Sequence, residues 1–338
     1  MPFDNYATFG EIKSQTKAWT QALELIDTVQ LPKAETYDQI IFTGCGSTYY
    51  LSLAAAALYQ ELTGRVARAV PGSELLLNAN TILANQKILL AAISRSGTTT
   101  ETVKAVEKFK ADKLGDVLVI SNYDEVLSCL ADINIVISNG QEESVAQTRS
   151  FASMYVAAAG FAARMAGRND LLDRMASLPE TGERLIQDFE PAARQIGENL
   201  DFDRFYFLGS GIRYGLACEV NLKMKEMTLT HSEPFHFLEF RHGPMSMVNE
   251  KTVVVGLVSE SNFNHESTVL KEMRALGAKT VALGESGVDI AFDSGVPECV
   301  QGVLYLPVLQ LMSFYRSLAK GLNPDRPNNL VAVIKLDF

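Results

Sequence analysis

The hydrophobic residues in the first half of the chain fall in short continuous runs instead of alternating with polar ones. The runs are rich in β-branched residues and cover positions 40–43, 66–70, 88–93, 117–120 and 133–137. A strand that is apolar at successive positions is buried on both faces, so these runs predict a parallel sheet with helices on either side. Two of the intervening stretches, 48–62 and 100–110, are rich in Ala, Leu, Lys and Glu and predict crossover helices.

An internal duplication extends this plan to the second half. Gly46 and Gly211 close two similar segments, Phe42-Thr43-Gly44-Cys45-Gly46 and Phe207-Leu208-Gly209-Ser210-Gly211, which are 165 positions apart. The same offset relates a further set of positions that follow apolar runs, namely Ser94, Ser96, Glu101 and Thr102 to Ser259, Ser261, Glu266 and Ser267. Two separate places that agree on one offset indicate a duplicated unit.

The second half therefore repeats the first, with strands predicted at 205–208, 253–258, 280–283 and 303–306 and a second strand that no run marks. The predicted fold class is α/β, two tandem units that are each a parallel sheet between helical layers (three-layer αβα). Helices are expected at 15–29 and within 164–197. The predicted domains are an N-terminal helical segment at 1–30, a first domain at 31–167, a second at 195–325 and a tail at 326–338.

Charge and cysteine usage exclude several classes of function. The 30 Lys and Arg residues against 40 Asp and Glu residues leave a net charge of −10, which disfavours nucleic acid and membrane surfaces as partners. The four cysteines, Cys45, Cys129, Cys218 and Cys299, are too widely spaced for a CxxC metal or redox motif. With no secretory leader and no membrane-spanning run, we expect a cytoplasmic protein.

The clearest candidate binding segment is Ser94-Arg95-Ser96-Gly97-Thr98-Thr99, which lies where a predicted strand passes into a helix. Free backbone N–H groups and the positive end of the helix favour a phosphate there, and the neighbouring segment 44–48 could reach the same ligand. A simpler interpretation is that the hydroxyls only cap the helix. The duplication favours phosphate binding, because the second copy, Ser259-Glu260-Ser261-Asn262-Phe263-Asn264, places an acid and an aromatic residue where the anion would lie.

The second half carries its own polar cluster. Glu219, Lys223 and Glu226 share one face of a predicted helix by their spacing, and His231, His236 and His242 follow within a few residues. A metal site is one interpretation of these residues. No HxxxH or HExxH pair is present, however, so we expect no bound metal.

Simpler interpretations make Glu226 the surface partner of Lys223 and His242 a turn residue before Gly-Pro. A third interpretation is an acid/base pair, in which a carboxylate moves a carbon-bound proton and an imidazole moves a proton on a sugar ring oxygen. This chemistry requires a polyol phosphate.

Five segments, taken in order, resemble the double SIS (sugar isomerase) family of phosphosugar isomerases, and in particular the isomerase portion of the glucosamine-6-phosphate synthases (glutamine:fructose-6-phosphate aminotransferases). They are Gly44-Cys45-Gly46-Ser47, Ser94-Arg95-Ser96-Gly97-Thr98-Thr99, Glu143-Ser144-Val145-Ala146-Gln147-Thr148-Arg149, Lys223-Met224-Lys225-Glu226 and Glu239-Phe240-Arg241-His242-Gly243-Pro244. The resemblance implies a five-stranded flavodoxin-like sheet in each half. It also implies a homodimer, no cofactor, and a 6-phosphosugar site built from both halves and shared between subunits.

By match to the family's motifs, the resemblance implies a role for each of a set of residues. Phosphate would be held by Ser47, Ser94, Ser96 and Thr99; the sugar would be lined by Cys45, Gly46, Arg95, Val145 and Lys223. Glu226 would be the base at C1/C2. His242, from the same chain or from across the dimer, would open the sugar ring.

Three departures from the synthases change the expected chemistry. The chain begins at the SIS region, so we expect no glutaminase domain. Arg95 replaces a glutamine, and Ala332 stands where the synthases carry a Schiff-base lysine, with Lys335 three residues out of register. We therefore expect an isomerase, deaminase or deglycase that acts at C1/C2 of a 6-phosphorylated amino sugar or ketosamine. Its mechanism would not involve an imine between the sugar and a lysine.

Two alternatives remain open from the sequence. One is a simple aldose/ketose isomerase of 6-phosphosugars. The other is a non-catalytic phosphosugar sensor, a class usually joined to a DNA-binding segment for which this chain has no room.

Overall fold

A computed structural model describes residues 3–84, 86–334 and 336. The chain divides into two compact units. The first-sheet unit contains Ser14–Glu142, Gln147–Ala176 and the described residues from Val331 onward; the second-sheet unit contains the residues up to Lys13, Glu143–Ala146 and Ser177–Leu330. Within the described part of the chain, no helix combines the length and the apolar character needed to cross a membrane.

Helices and strands alternate along most of the chain. The strands are β1 Gln39–Gly44, β2 Ala67–Pro71, β3 Ile88–Ser94, β4 Gly115–Ser121, β5 Ile133–Val136, β6 Arg204–Leu208, β7 His231–Phe235, β8 Thr252–Leu257, β9 Lys279–Gly284 and β10 Ile290–Ala291. The α-helices are α1 Ala7–Thr28, α2 Ser47–Thr63, α3 Gly72–Leu77, α4 Ala79–Ile82, α5 Thr100–Ala111, α6 Val126–Cys129, α7 Arg149–Met165, α8 Asn169–Met175, α9 Leu178–Glu198, α10 Ile212–Thr228, α11 Phe263–Ala275 and α12 Leu306–Ala319.

The first sheet is entirely parallel and has the strand order β2-β1-β3-β4-β5. Every residue of β1 and β3 is buried, as their continuous apolar runs predict. One face packs against α3 and α5, where Val106 and Phe109 join a core with Ile41 and Leu90. On the other face, the ring of Phe42 lies against α2 and α7, so helices cover both sides of the sheet.

The second sheet repeats this order as β10-β9-β8-β6-β7, again with all strands parallel. Tyr206 and Phe240 pack in a core with α11 on one face. On the other face, the guanidinium of Arg316 from α12 lies 4.9 Å from the ring centre of Phe205, and α12 packs against α10. The predicted fold class, two three-layer α/β units in tandem, is confirmed.

One predicted strand in the second half needs correction, and the structure adds the strand that no run marked. The predicted strand at 303–306 is wrong, because Gly302–Tyr305 is a 3-10 helix that leads into α12. A short apolar run is compatible with either a buried strand or a buried helix, and α12 is buried around most of its circumference. The strand that no run marked is β7, whose sequence His-Ser-Glu-Pro-Phe is polar because it is an edge strand, where proline is tolerated.

Candidate active site

The candidate phosphate site lies at the carboxyl edge of the first sheet. β1 and β3 are neighbours, and the chain leaves them in opposite directions across the sheet, which makes their shared end a topological switch point. The loop after β1 leads into α2, and the loop after β3 leads into α5. Both predicted binding segments therefore lie side by side, at the place where open α/β sheets collect ligands.

Two glycines give the loop after β1 its shape. A Cβ atom on Gly44 would lie only 2.5 Å from Oγ1 of Thr48, so the close approach of this strand end to α2 requires glycine. Gly46 precedes α2 with φ +58° and ψ −123°, a backbone conformation that residues with a side chain rarely adopt. These glycines allow the first turn of α2, beginning with the buried Ser47, to face the carboxyl edge.

The hydroxyls of the loop after β3 converge on one another. Ser94 Oγ accepts the N–H of Gly97 at 3.2 Å and lies 3.5 Å from Thr99 Oγ1, while Ser96 Oγ accepts the N–H of Thr98 at 3.2 Å. Thr99 occupies the N-cap position of α5, yet its side chain makes no capping hydrogen bond. The simpler interpretation, that these hydroxyls merely cap the helix, therefore does not describe Thr99.

The sulfur of Cys45 lies on the same edge. Its Sγ is 3.5 Å from Thr102 Oγ1 in the first turns of α5. Burial raises the pKa of the Cys45 thiol above its ordinary value, so the group is a neutral thiol near neutral pH. A neutral, half-buried sulfur is suited to contact with an uncharged part of a ligand.

Arg95 is buried and directs its guanidinium toward the tail. Nη2 donates to the carbonyl of Ala332 at 3.0 Å, and Nη1 lies 3.6 Å from a carboxylate oxygen of Glu142, whose side chain is fully buried. Glu142 also accepts the backbone N–H groups of Thr148 and Ser150 at the start of α7. Sequence reasoning missed Glu142, because nothing in its local sequence links it to Arg95.

In the second-sheet unit, α10 brings its charged face together as its spacing predicts. Lys223 Nζ lies 2.5 Å from Glu226 Oε2 and 3.4 Å from Glu219 Oε1. The side chain of Lys223 is only 1% exposed, whereas that of Glu226 is 20% exposed. The interpretation of Glu226 and Lys223 as a surface ion pair therefore does not hold. The buried lysine holds the carboxylate of Glu226 in position, while that carboxylate remains partly accessible.

Glu226 and His242 of the same chain belong to opposite faces of the second sheet. Glu226 lies on α10, which packs with α12 on the Phe205 face. His242 follows Phe240, whose ring packs 4.9 Å from that of Tyr206 on the opposite face, because successive strand residues point to opposite sides. The exposed His242 and the carboxylate of Glu226 therefore lie on different sides of this sheet.

Val145 also belongs to the second-sheet unit, although it lies within the predicted first domain at 31–167. Its N–H donates to the carbonyl of Asp325 at 3.0 Å. The carboxylate of Asp325 in turn accepts the N–H groups of Ala7 and Thr8 at the start of α1. The backbone around Val145 is therefore held firmly in place.

His231 and His236 are too far apart to act together. His231 begins β7 and His236 follows its end, so the strand separates them by about 16 Å at ~3.3 Å per residue. The ring of His236 stacks on Tyr214 at 3.9 Å, and burial lowers its pKa. Among the residues that the structure describes, no group of three or more His, Cys, Asp or Glu side chains is arranged to hold a metal ion.

The fold is a pair of flavodoxin-like α/β units, and the hydroxyl-rich loops at the first switch point form the candidate ligand site. The chain belongs to the SIS family: the SIS domain matches residues 36–164 and again residues 201–313. The two matched segments contain the first and second sheets, respectively, and the predicted resemblance is confirmed.

Two curated relatives have the same name, glutamine–fructose-6-phosphate aminotransferase (isomerizing). The chain is 30% identical over 323 residues to the glutamine–fructose-6-phosphate aminotransferase (isomerizing) of Sulfolobus acidocaldarius, covering 93% of this chain and 53% of the relative. The chain spans about half the length of the curated relatives it matches.

Solved structures match the chain over nearly its whole length. A crystal structure of glucosamine-6-phosphate deaminase from Thermotoga maritima has a TM-score of 0.83 and 26% identity, covering 98% of this chain and 100% of that one. A crystal structure of tagatose-6-phosphate ketose/aldose isomerase from Escherichia coli has a TM-score of 0.77 and 25% identity, covering 97% and 96%. All three proteins are enzymes named for a 6-phosphosugar.

Proposed function

We propose that this protein is an enzyme that acts at C1/C2 of a 6-phosphorylated amino sugar or ketosamine. The observation that carries the proposal is the Glu226 carboxylate, partly accessible and fixed by the buried Lys223. The likeness to the T. maritima deaminase, which extends over that whole chain, supports an amine-bearing substrate. The cytoplasmic location remains a prediction.

In this proposal the phosphate binds at the carboxyl edge of β1 and β3. Ser94, Ser96 and Thr99 supply hydroxyl donors, and the first N–H groups of α5 add the partial positive charge of a helix N-terminus. Ser47 would donate from the start of α2. Because the hydroxyls bring no fixed charge, phosphate binding there relies on directed donors and not on a lysine or arginine clamp.

Glu226 is the proposed base. It would take the proton from one of the two carbons C1 and C2 and return it to the other, passing through an enediol or enolamine. For an amine-bearing sugar this shift converts the amine into an imine, and water then hydrolyses the imine to a carbonyl and a free amine. Lys223 would hold the carboxylate in place through its ion pair with Glu226.

In the proposed mechanism a second copy of the chain completes the acid/base pair. His242 and Glu226 of one chain lie on opposite faces of the second sheet, so we propose that each site takes its histidine from the partner in a homodimer. That histidine would protonate the ring oxygen or the leaving amine. The exposed position of His242 supports this arrangement.

Subunit complementation tests the shared site. Glu226→Gln and His242→Asn homodimers are each expected to be inactive, whereas mixing and exchanging subunits should restore activity, because a heterodimer retains one site with both intact residues. Mixed dimers with no more activity than either parent would contradict a shared site. Mixing with a Glu226→Gln/His242→Asn double variant is the matched control and should restore nothing.

No lysine imine is needed in this mechanism. Ala332 occupies the position where the synthases carry their Schiff-base lysine, and its carbonyl accepts a hydrogen bond from Arg95. Lys335, the out-of-register substitute, lies outside the described residues. The Glu/His pair alone can carry out the proton shift, so we propose chemistry without a covalent adduct.

A substrate panel tests the proposal as a whole. Glucosamine-6-phosphate, a 6-phosphorylated ketosamine and fructose-6-phosphate would each be incubated with the protein while ammonia, free amino acid and aldose/ketose interconversion are followed together. Amine release supports the proposal. Interconversion of hydroxy sugars alone would favour the simple isomerase, which the likeness to the E. coli tagatose-6-phosphate isomerase makes the second candidate. Binding without turnover of any member would contradict the proposal.

A further inference from the structure

The second-sheet unit contains a counterpart of the phosphate loop, residues 259–264, which we call the second-half loop. Its backbone follows that of the first copy: Ser259 Oγ accepts the N–H of Asn262 at 3.0 Å, as Ser94 Oγ accepts that of Gly97 at 3.2 Å. The glycine before the adjoining helix agrees too. Gly211 has φ +57° and ψ −128°, against +58° and −123° for Gly46.

The second-half loop already binds an anionic group of the protein itself. Ser261, the copy of Ser96, donates its backbone N–H to Glu298 Oε2 at 3.1 Å and its hydroxyl to Glu298 Oε1 at 3.2 Å. Glu298 arrives from the segment between β10 and the 3-10 helix Gly302–Tyr305, 37 residues further along the chain.

A buried cation completes the arrangement. Arg213, the copy of Thr48, lies on the first turn of α10, with its side chain only 9% exposed. Its Nη1 is 2.9 Å from Glu298 Oε1. Its Nε has no hydrogen-bond partner among the described residues. A loop N–H, a hydroxyl and a guanidinium that converge on one carboxylate are the donor set that proteins use for phosphate.

We propose that the carboxylate of Glu298 is an internal ligand that occupies the second-half counterpart of the phosphate site. Ser261 and Arg213, which bind this carboxylate, form a site that could bind a phosphate group. In the native chain Glu298 occupies that site and excludes phosphate. Each chain therefore binds one phosphate group and not two, although the duplication provides two loops.

Neighbouring acids strengthen this closure. Glu266 lies in the same unit and accepts the N–H of Ser259 at 2.6 Å, and Glu260 stands where the first copy has Arg95. Desolvation, followed by the nearby charges of Glu285 and Glu298, raises the pKa of Glu260. A free dianion would meet these charges, whereas the tethered Glu298 binds without losing translational freedom. We therefore expect an opened site to bind phosphate weakly.

The test counts inorganic phosphate sites by isothermal titration calorimetry and by phosphate-dependent thermal stabilisation of the full chain. We expect one site per chain in the wild type and a second, weaker site in Glu298→Ala. That second site should disappear in Glu298→Ala/Ser261→Ala/Arg213→Met. Glu298→Gln removes the charge but keeps the volume, and provides a second route if the alanine variant does not fold. A variant that folds but has no more phosphate sites than the wild type, or two sites in the wild type, would overturn the proposal.

The same measurement separates this proposal from the function proposed above. In a Ser96→Ala/Thr99→Ala background, the first site should be lost while the Glu298→Ala site remains. If the wild type binds no phosphate but Glu298→Ala gains one site that depends on Ser261 and Arg213, the assignment of the first loop is wrong and the internal ligand stands. If Glu298→Ala gains nothing while the first site binds normally, the internal ligand alone is wrong.

Discussion

The loops after β3 and β8 share one backbone plan and differ in what their side chains can bind. In the first, Ser94, Ser96 and Thr99 present hydroxyls beside Arg95, whose charge is matched by the buried Glu142. In the second, Ser261 is bound to Glu298 of the same chain. The duplicated loops thus share a backbone and differ in their side chains, and we propose that the first is open to an external anion while Glu298 fills the second.

The second unit has a different proposed role, which depends on a helix face and not on its loop. α10 holds Lys223 between two carboxylates, whereas α2, its counterpart in the first half, is mostly apolar along its length. In line with this contrast, we propose that the first half binds the phosphate and the second half transfers the proton. The predictions below test that division, beginning with the largest expected effect.

The first prediction concerns the proton-transfer half. Glu226→Gln keeps the shape of the side chain and its hydrogen bond to Lys223 but cannot accept a proton, so kcat should fall by ~10²-fold or more with binding retained. The measurement is steady-state kinetics together with calorimetric binding of the substrate. Glu250→Gln, an exposed glutamate of the same unit, is the control and should behave as the wild type. Full turnover by Glu226→Gln would remove the proton-transfer role from α10.

The second prediction concerns the phosphate-binding half. Ser96→Ala and Thr99→Ala each remove a donor to a charged group, a loss of about 1.5–3 kcal/mol, so KM should rise about tenfold to a hundredfold. The value of kcat should change little, since the donors act in the ground and transition states alike.

Ser261→Ala is the matched control from the other copy and should leave KM unchanged. Equal damage from Ser96→Ala and Ser261→Ala would break the comparison, because both loops would then have the same role.

The third prediction concerns the link between the first loop and the tail. Arg95→Gln leaves the buried Glu142 without its cation and releases the carbonyl of Ala332, so the variant should unfold at lower temperature and its tail should be cut faster by protease. Lys104→Gln removes a partner of an exposed ion pair with Glu107 and should change neither readout. Unchanged protease sensitivity in Arg95→Gln would show that Arg95 does not hold the tail.

The smallest expected effect is at the lysine nearest the missing Schiff-base position. Lys335→Ala should alter kcat and KM little, and borohydride should trap no sugar on the protein during turnover. Mass spectrometry of the treated protein provides the measurement. A sugar adduct on Lys335 would place covalent chemistry in the tail and contradict a mechanism carried by Glu226 and His242 alone.

Much of the fold follows from local patterns. The continuous apolar run that became β3 and the 165-residue offset predict both sheets and their parallel strands. The pattern of apolar runs does not predict the edge strand β7, because an edge strand needs little apolar surface. It predicts a strand in place of the 3-10 helix Gly302–Tyr305, because short buried helices and buried strands have the same apolar composition.

The sequence predicts those contacts of the candidate site that depend on residue spacing within one helix or one loop. The contact between Lys223 and Glu226 is an example. Contacts between distant loops leave no such pattern. Nothing in the sequence pairs Arg95 with Glu142, or Ser261 with Glu298. The separation of Glu226 and His242 onto opposite faces follows only from the packing, which places α10 with α12 on one side and Phe240 against Tyr206 on the other.

Deuterium exchange at the substrate carbons tests the central claim most directly. In D₂O, the wild-type protein should incorporate deuterium at C1 or C2 of its 6-phosphosugar substrate, followed by NMR, because the proton held by Glu226 exchanges with solvent between removal and return. Glu226→Gln should bind the sugar and incorporate none, while Ser261→Ala should match the wild type. Continued exchange in Glu226→Gln at the wild-type rate would contradict the assignment of proton transfer to the second unit.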